Sequence, residues 1–239
     1  LKTLTELLPT HAQAQFFAGT IAEEAKDYKA ARTYYNAYLK IAEGNSTYIK
    51  DAAWVRLGAV SMAQNRPEEA IEWFHRVKKG DLVVAAHVQE AQLLDYLGRA
   101  DDACGVYRTI STKDKAQKAT FLSGCAHALT RASRPLQALS TLEEAIDLLG
   151  KELKATPSIL YEAGSLCVTL KNYKKAEKYL TQYTRLSPKD PQGFNSLGYM
   201  LLDNLGKTKK ARPYIEKAMQ LSQGKDSYIV DSMGWLLFK

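Results

Sequence analysis

The sequence predicts an all-α fold, a right-handed superhelical solenoid of antiparallel helix hairpins. Three observations carry this expectation. A small residue, an Ala twelve or thirteen positions later and a bulky residue four beyond that Ala recur along the 239 residues. Apolar residues between these positions fall at helical spacing. Turn-forming clusters interrupt the pattern midway through successive units, and no segment alternates apolar and polar residues long enough to read as a strand.

The first set is Gly19, Ala31 and Tyr35, and the second Gly58, Ala70 and Phe74. Ala91, Ala103 and Tyr107 follow, then Ala126, Ala138 and Leu142, then Gly164, Ala176 and Leu180, then Gly198, Ala211 and Ile215. Gly234 opens a seventh set. The first members lie 39, 33, 35, 38, 34 and 36 residues apart, and a period near 34 marks stacked helical repeats. The expected organisation is a single array with units at about 12–43, 51–81, 84–111, 119–150, 157–188 and 191–223, flanked by half units at 1–10 and 227–239. On this register Leu1 and Leu4 take core positions of a second helix closed by Pro9, while Trp235, Leu236 and Phe238 lack a covering helix, so the expectation is a fragment of a longer chain.

Within a unit, Trp54, Leu57, Gly58 and Ser61 mark one amphipathic helix and Ala70, Trp73, Phe74 and Val77 the next. Asn65-Arg66-Pro67, Leu97-Gly98-Arg99, Ser133-Arg134-Pro135 and Lys171-Asn172-Tyr173 supply the turns between them, and Ser187-Pro188 closes a unit. The small residues let two helices approach closely while the bulky residue fills the space beside the crossing. One hairpin cannot bury its own apolar face; stacking several does. Unit 3 departs from the pattern, with His87 where a large apolar residue is usual, and unit 6 carries one extra residue, expected in the turn from Asn204 to Lys209.

Composition narrows the class. With 46% hydrophobic and 25% charged residues the chain is globular. No uncharged stretch reaches the roughly 18 residues that a membrane-spanning helix needs. Residues 1–150 hold 18 basic and 18 acidic side chains and residues 151–239 hold 15 and 8, so the net +7 sits in the last part of the chain. Cys104, Cys125 and Cys167 show no metal-ligand spacing and read as small buried hydrophobes.

Trp54-x-x-Leu57-Gly58 with Ala70 and Phe74, and Phe194-x-x-Leu197-Gly198 with Ile215 and Ala218, resemble the tetratricopeptide repeat over essentially the whole chain. Longer strings are similar to the large repeat lipoproteins of Gram-negative bacteria: Ile71 to Val77 followed by Lys79-Gly-Asp, Leu97 to Ala103, Asn195 to Asp203 and Asp231 to Phe238. That resemblance implies a periplasmic adaptor anchored to the outer membrane by a lipid on a Cys upstream of Leu1, binding a carboxy-terminal processing protease and presenting substrates to it. The alternative expectation is a cytoplasmic assembly or regulatory repeat domain of a larger protein.

Motifs for chemistry are imitations. Leu205-Gly206-Lys207-Thr208 lacks the earlier Gly of a phosphate loop, since position 201 is Leu201, and no strand precedes it. His11, His75, His87 and His127 form no HExxH and no i, i+4 pair. Glu68-Glu69, Asp101-Asp102 and Glu143-Glu144 are expected at the starts of second helices, where the helix dipole favours them. The expectation is therefore a non-enzyme without cofactor or metal, acting as a protein-binding scaffold.

A partner would meet the inward face of the first helices, at register positions three before and one and four to five after the small residue. The expected groove residues are Phe16, Thr20, Val55, Met62, Val88, Gln92, Tyr96, His127, Arg131, Tyr161, Asn195, Tyr199 and Trp235, a lining suited to an extended peptide or amphipathic helix. Phe16 with Thr20 and Val55 with Ala59 stand where a carboxylate clamp would need Lys and Asn, so a heat-shock chaperone tail is not the expected ligand. Lys171, Lys174, Lys175, Lys178, Lys207, Lys209 and Lys210 are expected as a basic patch on the outer face. Lys outnumbers Arg 13 to 2 over residues 151–239 and no stacking aromatics are interleaved, so nucleic acid is not expected. Membrane contact is expected only through the lipid anchor, and self-association could arise at the uncovered Trp235 and Phe238.

Overall fold

A computed structural model describes residues 10–43 and 49–239, and among them it contains helices and no strand. The expected half unit at 1–10 lies, apart from Thr10, outside the described residues. The chain divides into two compact units, residues 1–111 and 112–239. The first holds three hairpins: α1 (Ala12–Glu24) with α2 (Tyr28–Glu43), α3 (Lys50–Ala63) with α4 (Pro67–His75), and α5 (Val83–Tyr96) with α6 (Ala100–Thr109). The second holds α7 (Lys115–Arg131) with α8 (Pro135–Leu149), α9 (Ser158–Thr169) with α10 (Tyr173–Leu186), and α11 (Pro191–Tyr199) with α12 (Thr208–Ser222), followed by α13 (Ser227–Phe238). A 3₁₀ turn at Gly150–Ala155 links α8 to α9. Each unit is thus an all-α stack of repeated hairpins.

The helix starts follow from local chemistry. Asp114, Asp190 and Asp226 accept hydrogen bonds from backbone amides two and three residues on, and Asn172 from the Lys175 amide, which satisfies donors that the first turn leaves free. Pro67, Pro135 and Pro191 open their helices, where a missing N–H costs nothing.

The turn inside each hairpin is one device repeated six times among the described residues. Lys26, Asn65, Gly98, Ser133, Lys171 and Gly206 take positive φ between 57° and 77°. The next residue donates its amide back across the turn: Asp27 to Ala22, Arg66 to Ser61, Arg99 to Leu94, Arg134 to Leu129 and Asn172 to Cys167, all at 2.8–2.9 Å. This left-handed closure satisfies the last helical carbonyls and reverses the chain at once. In the sixth hairpin the bond runs one residue further, from Lys207 to the Leu201 carbonyl at 2.8 Å. The extra residue there, expected in the turn, is absorbed instead by a π-helical turn at Met200–Asn204 within the first helix. The register of the apolar face is thereby kept, and Leu197, Met200, Leu201 and Leu202 are all buried.

The repeated motif is the core. Ala31, Ala70, Ala103, Ala138, Ala176 and Ala211 are all 0% exposed, and the bulky residue four on is buried in every hairpin. That bulky side chain lies on the small residue of the preceding helix. A methyl added at Gly19, Gly58, Gly164 or Gly198 would lie 2.6–2.7 Å from Tyr35, Phe74, Leu180 or Ile215 respectively. Close approach is what glycine supplies here, and the helix propensity it forfeits is the cost.

Carboxylates tie neighbouring second helices together. Glu69 of α4 accepts from Arg32 of α2 (Nη1 to Oε2, 2.8 Å) and from the Trp73 indole at 3.4 Å. Glu143 of α8 accepts from Lys175 at 2.6 Å and the Tyr179 hydroxyl at 2.7 Å, both on α10, and Glu177 of α10 pairs with Lys210 of α12 and with Lys207. Glu68 and Glu69 do lie in the first turn of α4, and Asp101 and Asp102 in that of α6. Glu143 and Glu144 do not: α8 begins at Pro135, so they sit inside the helix, and Glu143 is placed by its cross-hairpin partners rather than by the dipole.

Where His87 replaces an apolar residue, a polar cluster fills the space. His75 Nδ1 meets Glu90 Oε1 at 2.7 Å, the His75 and His87 rings stack at 6.4 Å, and Glu90 is only 3% exposed.

Candidate partner-binding clefts

Within each compact unit consecutive first helices share polar contacts. Arg56 of α3 reaches Glu23 of α1 at 3.4 Å, Tyr161 of α9 meets Ser196 of α11 at 3.2 Å, and Trp235 of α13 donates to Asp203 at 3.1 Å. Two clefts open between them, one in each compact unit.

The cleft in the first unit, about 370 Å³, is bordered by Met62, Asn65 and Pro67 on one side and Gln89, Gln92, Leu93 and Tyr96 of α5 on the other. Tyr96 is 72% exposed and Met62 40%. Among the described residues no charged side chain borders this cleft. Its apolar walls can bury a side chain while three amides offer both donors and acceptors to a backbone.

The cleft in the second unit, about 350 Å³, has a floor of Ala126, Leu142 and Leu166 and a rim of His127, Thr130, Arg131, Glu162, Ser165 and Thr169. Glu162 of α9 accepts from the Ser123 hydroxyl at 2.5 Å and lies 3.2 Å from His127 Nε2, both of α7. Glu162 thereby joins α9 to α7 through both Ser123 and His127. Among the described residues no three His, Cys, Asp or Glu side chains are placed to hold a metal ion, and no helix is long and apolar enough to cross a membrane.

The expected groove residues divide by burial. Met62, Gln92, Tyr96, His127, Arg131 and Tyr199 are exposed, and the first five border the two clefts. Phe16 is taken up by packing on the rings of Tyr35 and Tyr38, at 5.5 and 5.3 Å. Thr20 hydrogen-bonds to the Phe16 carbonyl, Val55 packs with the Phe74 cluster, and Val88 is half-buried. Tyr161 is held by Ser196 and the Tyr183 ring, Asn195 is 9% exposed, and Trp235 stacks on Phe238 at 5.3 Å. Sequence register missed Gln89 and Leu93, one turn earlier or on the inner flank of α5, and Glu162, which precedes Gly164 by two residues. Their positions relative to the small residue are the signal that a wider register window would have caught.

The basic patch also divides. Lys175 is engaged by Glu143, and Lys207 and Lys210 by Glu177. Lys171 closes a turn, Lys174 and Lys178 border an open groove with Thr181, Gln182 and Arg185, and Lys209 is exposed.

Burial and partners set the titration of several groups. Burial pushes the Tyr35 hydroxyl up to about 12, with the Glu23 carboxylate adding to the rise, and pushes Tyr183 to about 12 together with its bond to Asp190. Burial lifts the Cys167 thiol to about 11. Burial alone would raise Glu69 and Glu143, but Arg32 and Lys175 outweigh it and hold both carboxyls below the usual range. Glu177 is lowered chiefly by its hydrogen bond from Lys210.

Residues 1–46 match one tetratricopeptide repeat family model, and residues 157–190 and 192–224 match a second. The chain is 27% identical over 185 residues to the RNA polymerase-associated protein CTR9 of Caenorhabditis elegans, a match covering 70% of this chain and 15% of that protein's length. Among solved structures, the C-terminal part of a TPR repeat-containing protein from Cytophaga hutchinsonii is similar with a TM-score of 0.71 at 13% identity, covering 97% of this chain and 92% of that one. The APC/C hetero-tetramer Cut9–Hcn1 is similar with a TM-score of 0.55 at 16% identity, covering 99% of this chain and 44% of that one. At such identities the structural likeness shows the fold. The repeated hairpins and these matches agree on one conclusion: the chain is an all-α repeat solenoid whose residues 1–46, 157–190 and 192–224 match tetratricopeptide repeat models.

Proposed function

We propose that the chain is a non-catalytic adaptor that holds a partner polypeptide in the clefts between its first helices. The observation that carries this reading is the pairing of exposed Met62, Gln92 and Tyr96 across one cleft, with apolar walls and uncharged amides. A mixed apolar and hydrogen-bonding trough suits an extended peptide or one face of an amphipathic helix.

The finer reading is an envelope adaptor, periplasmic and lipid-anchored outside these residues, whose partner is a carboxy-terminal processing protease or its substrates. Its support is the similarity of the strings around Trp73, Arg99, Gly198 and Gly234 to the repeat lipoproteins. Biolayer interferometry of the chain against the processing protease of the same genome tests it. Saturable binding weakened tenfold by Tyr96→Ala supports the reading, and absence of binding removes it.

The second reading is an assembly or regulatory repeat domain of a larger cytoplasmic protein. The match to an RNA polymerase-associated protein favours it. Fractionation of cells making the full-length gene product separates the two: recovery with the outer membrane supports the first, and recovery with soluble cytoplasmic complexes the second.

A further inference from the structure

The charge along α10 runs against the needs of the helix. Residues 171–185 hold five basic side chains and one acidic one, in a chain whose total is +7. Lys174 and Lys175 stand in the first turn of α10, which carries no acidic residue, although the helix dipole disfavours cations there. The second helices α4 and α6 follow the dipole, with Glu68 and Glu69 or Asp101 and Asp102 in the same turn. Helix stability therefore does not account for Lys174.

Lys174, Lys178, Thr181 and Arg185 recur at helical spacing on the side of α10 opposite the buried Ala176, Tyr179 and Leu180, and with Glu177 and Gln182 they line an open groove of about 620 Å³. Glu177 is the one carboxylate in it, and Lys210 and Lys207 of the next hairpin already pair with that group. Lys175, beside the groove, is engaged by Glu143. Lys174 and Arg185 are exposed, and among the described residues neither has a carboxylate partner. The groove thus presents three cations around a carboxylate whose charge is offset, with a hydroxyl and an amide between them. This chemistry points away from two kinds of polyanion. Nucleic acids are held by arginine forks and stacking rings, and the groove is lined by one arginine and no aromatic side chain. Lipid surfaces take up apolar side chains, and none lines it. Thr181 and Gln182 can instead bond to a backbone whose N–H and C=O groups are free, as they are in an extended chain and are not within a helix. The spacing agrees, because Lys174 and Lys178 lie about 6 Å apart along the helix axis, close to the roughly 6.7 Å between alternate side chains of an extended chain.

We infer that the groove along α10 docks an extended acidic segment of a partner protein, with carboxylates at alternate residues meeting Lys174 and Lys178 and a further one meeting Arg185. Gln182 and Thr181 bond to the backbone of that segment between the charged contacts. The groove shares no residue with either cleft and goes beyond the proposed function of those clefts.

Fluorescence anisotropy of the whole chain with a labelled peptide of alternating Glu and Ser tests this. Saturable binding is expected, weakened at least about tenfold by Lys174→Glu with Lys178→Gln and at least about threefold by Gln182→Leu. Raising the salt from about 50 to about 300 mM should weaken it about tenfold as well. Lys151→Glu with Lys154→Gln makes the same change in net charge away from the groove and should leave binding as in the wild type. A glutamate at position 174 suits the first turn, so circular dichroism should show the groove variant folded at the assay temperature. The inference is overturned by no saturable binding at about 20 mM salt, by equal weakening in the groove and control variants, or by binding indifferent to Gln182→Leu. Tighter binding of a helix-forming peptide of the same charge overturns it too. So does binding of phosphatidylglycerol vesicles or oligothymidylate with the same dependence on Lys174, Lys178 and Gln182, which would assign the groove to lipid or nucleic acid.

Discussion

The ring of Phe74 lies against Gly58, so closely that a methyl on that glycine would stand 2.6 Å from the ring edge. Four hairpins share this relationship, and it sets the distance between their helices. Gly58→Ala should therefore destabilise the chain by about 1–3 kcal/mol, because overpacking against a rigid ring exceeds the gain in helix propensity. Gly234→Ala, with open space, should raise stability by up to about 1 kcal/mol. Thermal unfolding followed by circular dichroism reads both; a stabilised Gly58→Ala would refute the packing account.

The hairpin turns make a second prediction. Ser133 and Lys171 hold φ of 58° and 57°, in the left-handed region that costs an L-residue about 1 kcal/mol or more. Replacing either by Gly should raise stability by up to about 1 kcal/mol, whereas Lys171→Val should lower it. Equal effects of Gly and Val on the midpoint of urea unfolding would contradict this assignment of the turn.

Glu69 couples stability to pH. Its carboxyl is held low in the folded chain, where burial opposes the shift and Arg32 overcomes it. A carboxyl lowered on folding stabilises above its unfolded value of about 4.3 and loses that contribution as pH falls through the folded value. The pair is part-exposed and worth about 1 kcal/mol at most. Glu69→Gln should thus lower the unfolding midpoint at pH 7 and have a diminishing effect below about pH 4. A difference from wild type that is the same at pH 7 and pH 3 would exclude the ion pair as its cause.

Cys167 is 0% exposed, and its thiol is raised to about 11 by burial. At pH 8 it should stay protonated and resist alkylation by iodoacetamide, becoming labelled only after denaturation. Peptide mapping of labelled native protein gives the answer, since modification of Cys167 within minutes would place it outside the core.

Much of this architecture is legible in the sequence because the same physical problem is solved six times. The buried Ala at 31, 70, 103, 138, 176 and 211 and the bulky residue after each stand out by repetition alone. Turn positions such as Asn65 and Ser133 were legible for the same reason. The π turn at Met200–Asn204 was not, because one inserted residue can be absorbed in a helix or a loop without changing composition. Glu143 was misplaced because its partners, Lys175 and Tyr179, are more than thirty residues away and only packing brings them near. Periodicity selects a helix face, but Phe16 and Tyr96 occupy that face with opposite fates. Phe16 has two rings to pack on, while Tyr96 has a cleft beside it.

The central claim is that partners are held between the first helices, and site-specific photocrosslinking tests it most directly. A benzophenone amino acid is placed at Gln92, in the cleft, or at Lys217, on α12 away from both clefts, in the whole chain expressed in its own cells. The account predicts a discrete crosslinked partner from Gln92 that is lost with Tyr96→Ala, and none from Lys217. A partner captured equally from both positions, or from Gln92 regardless of Tyr96, would contradict it.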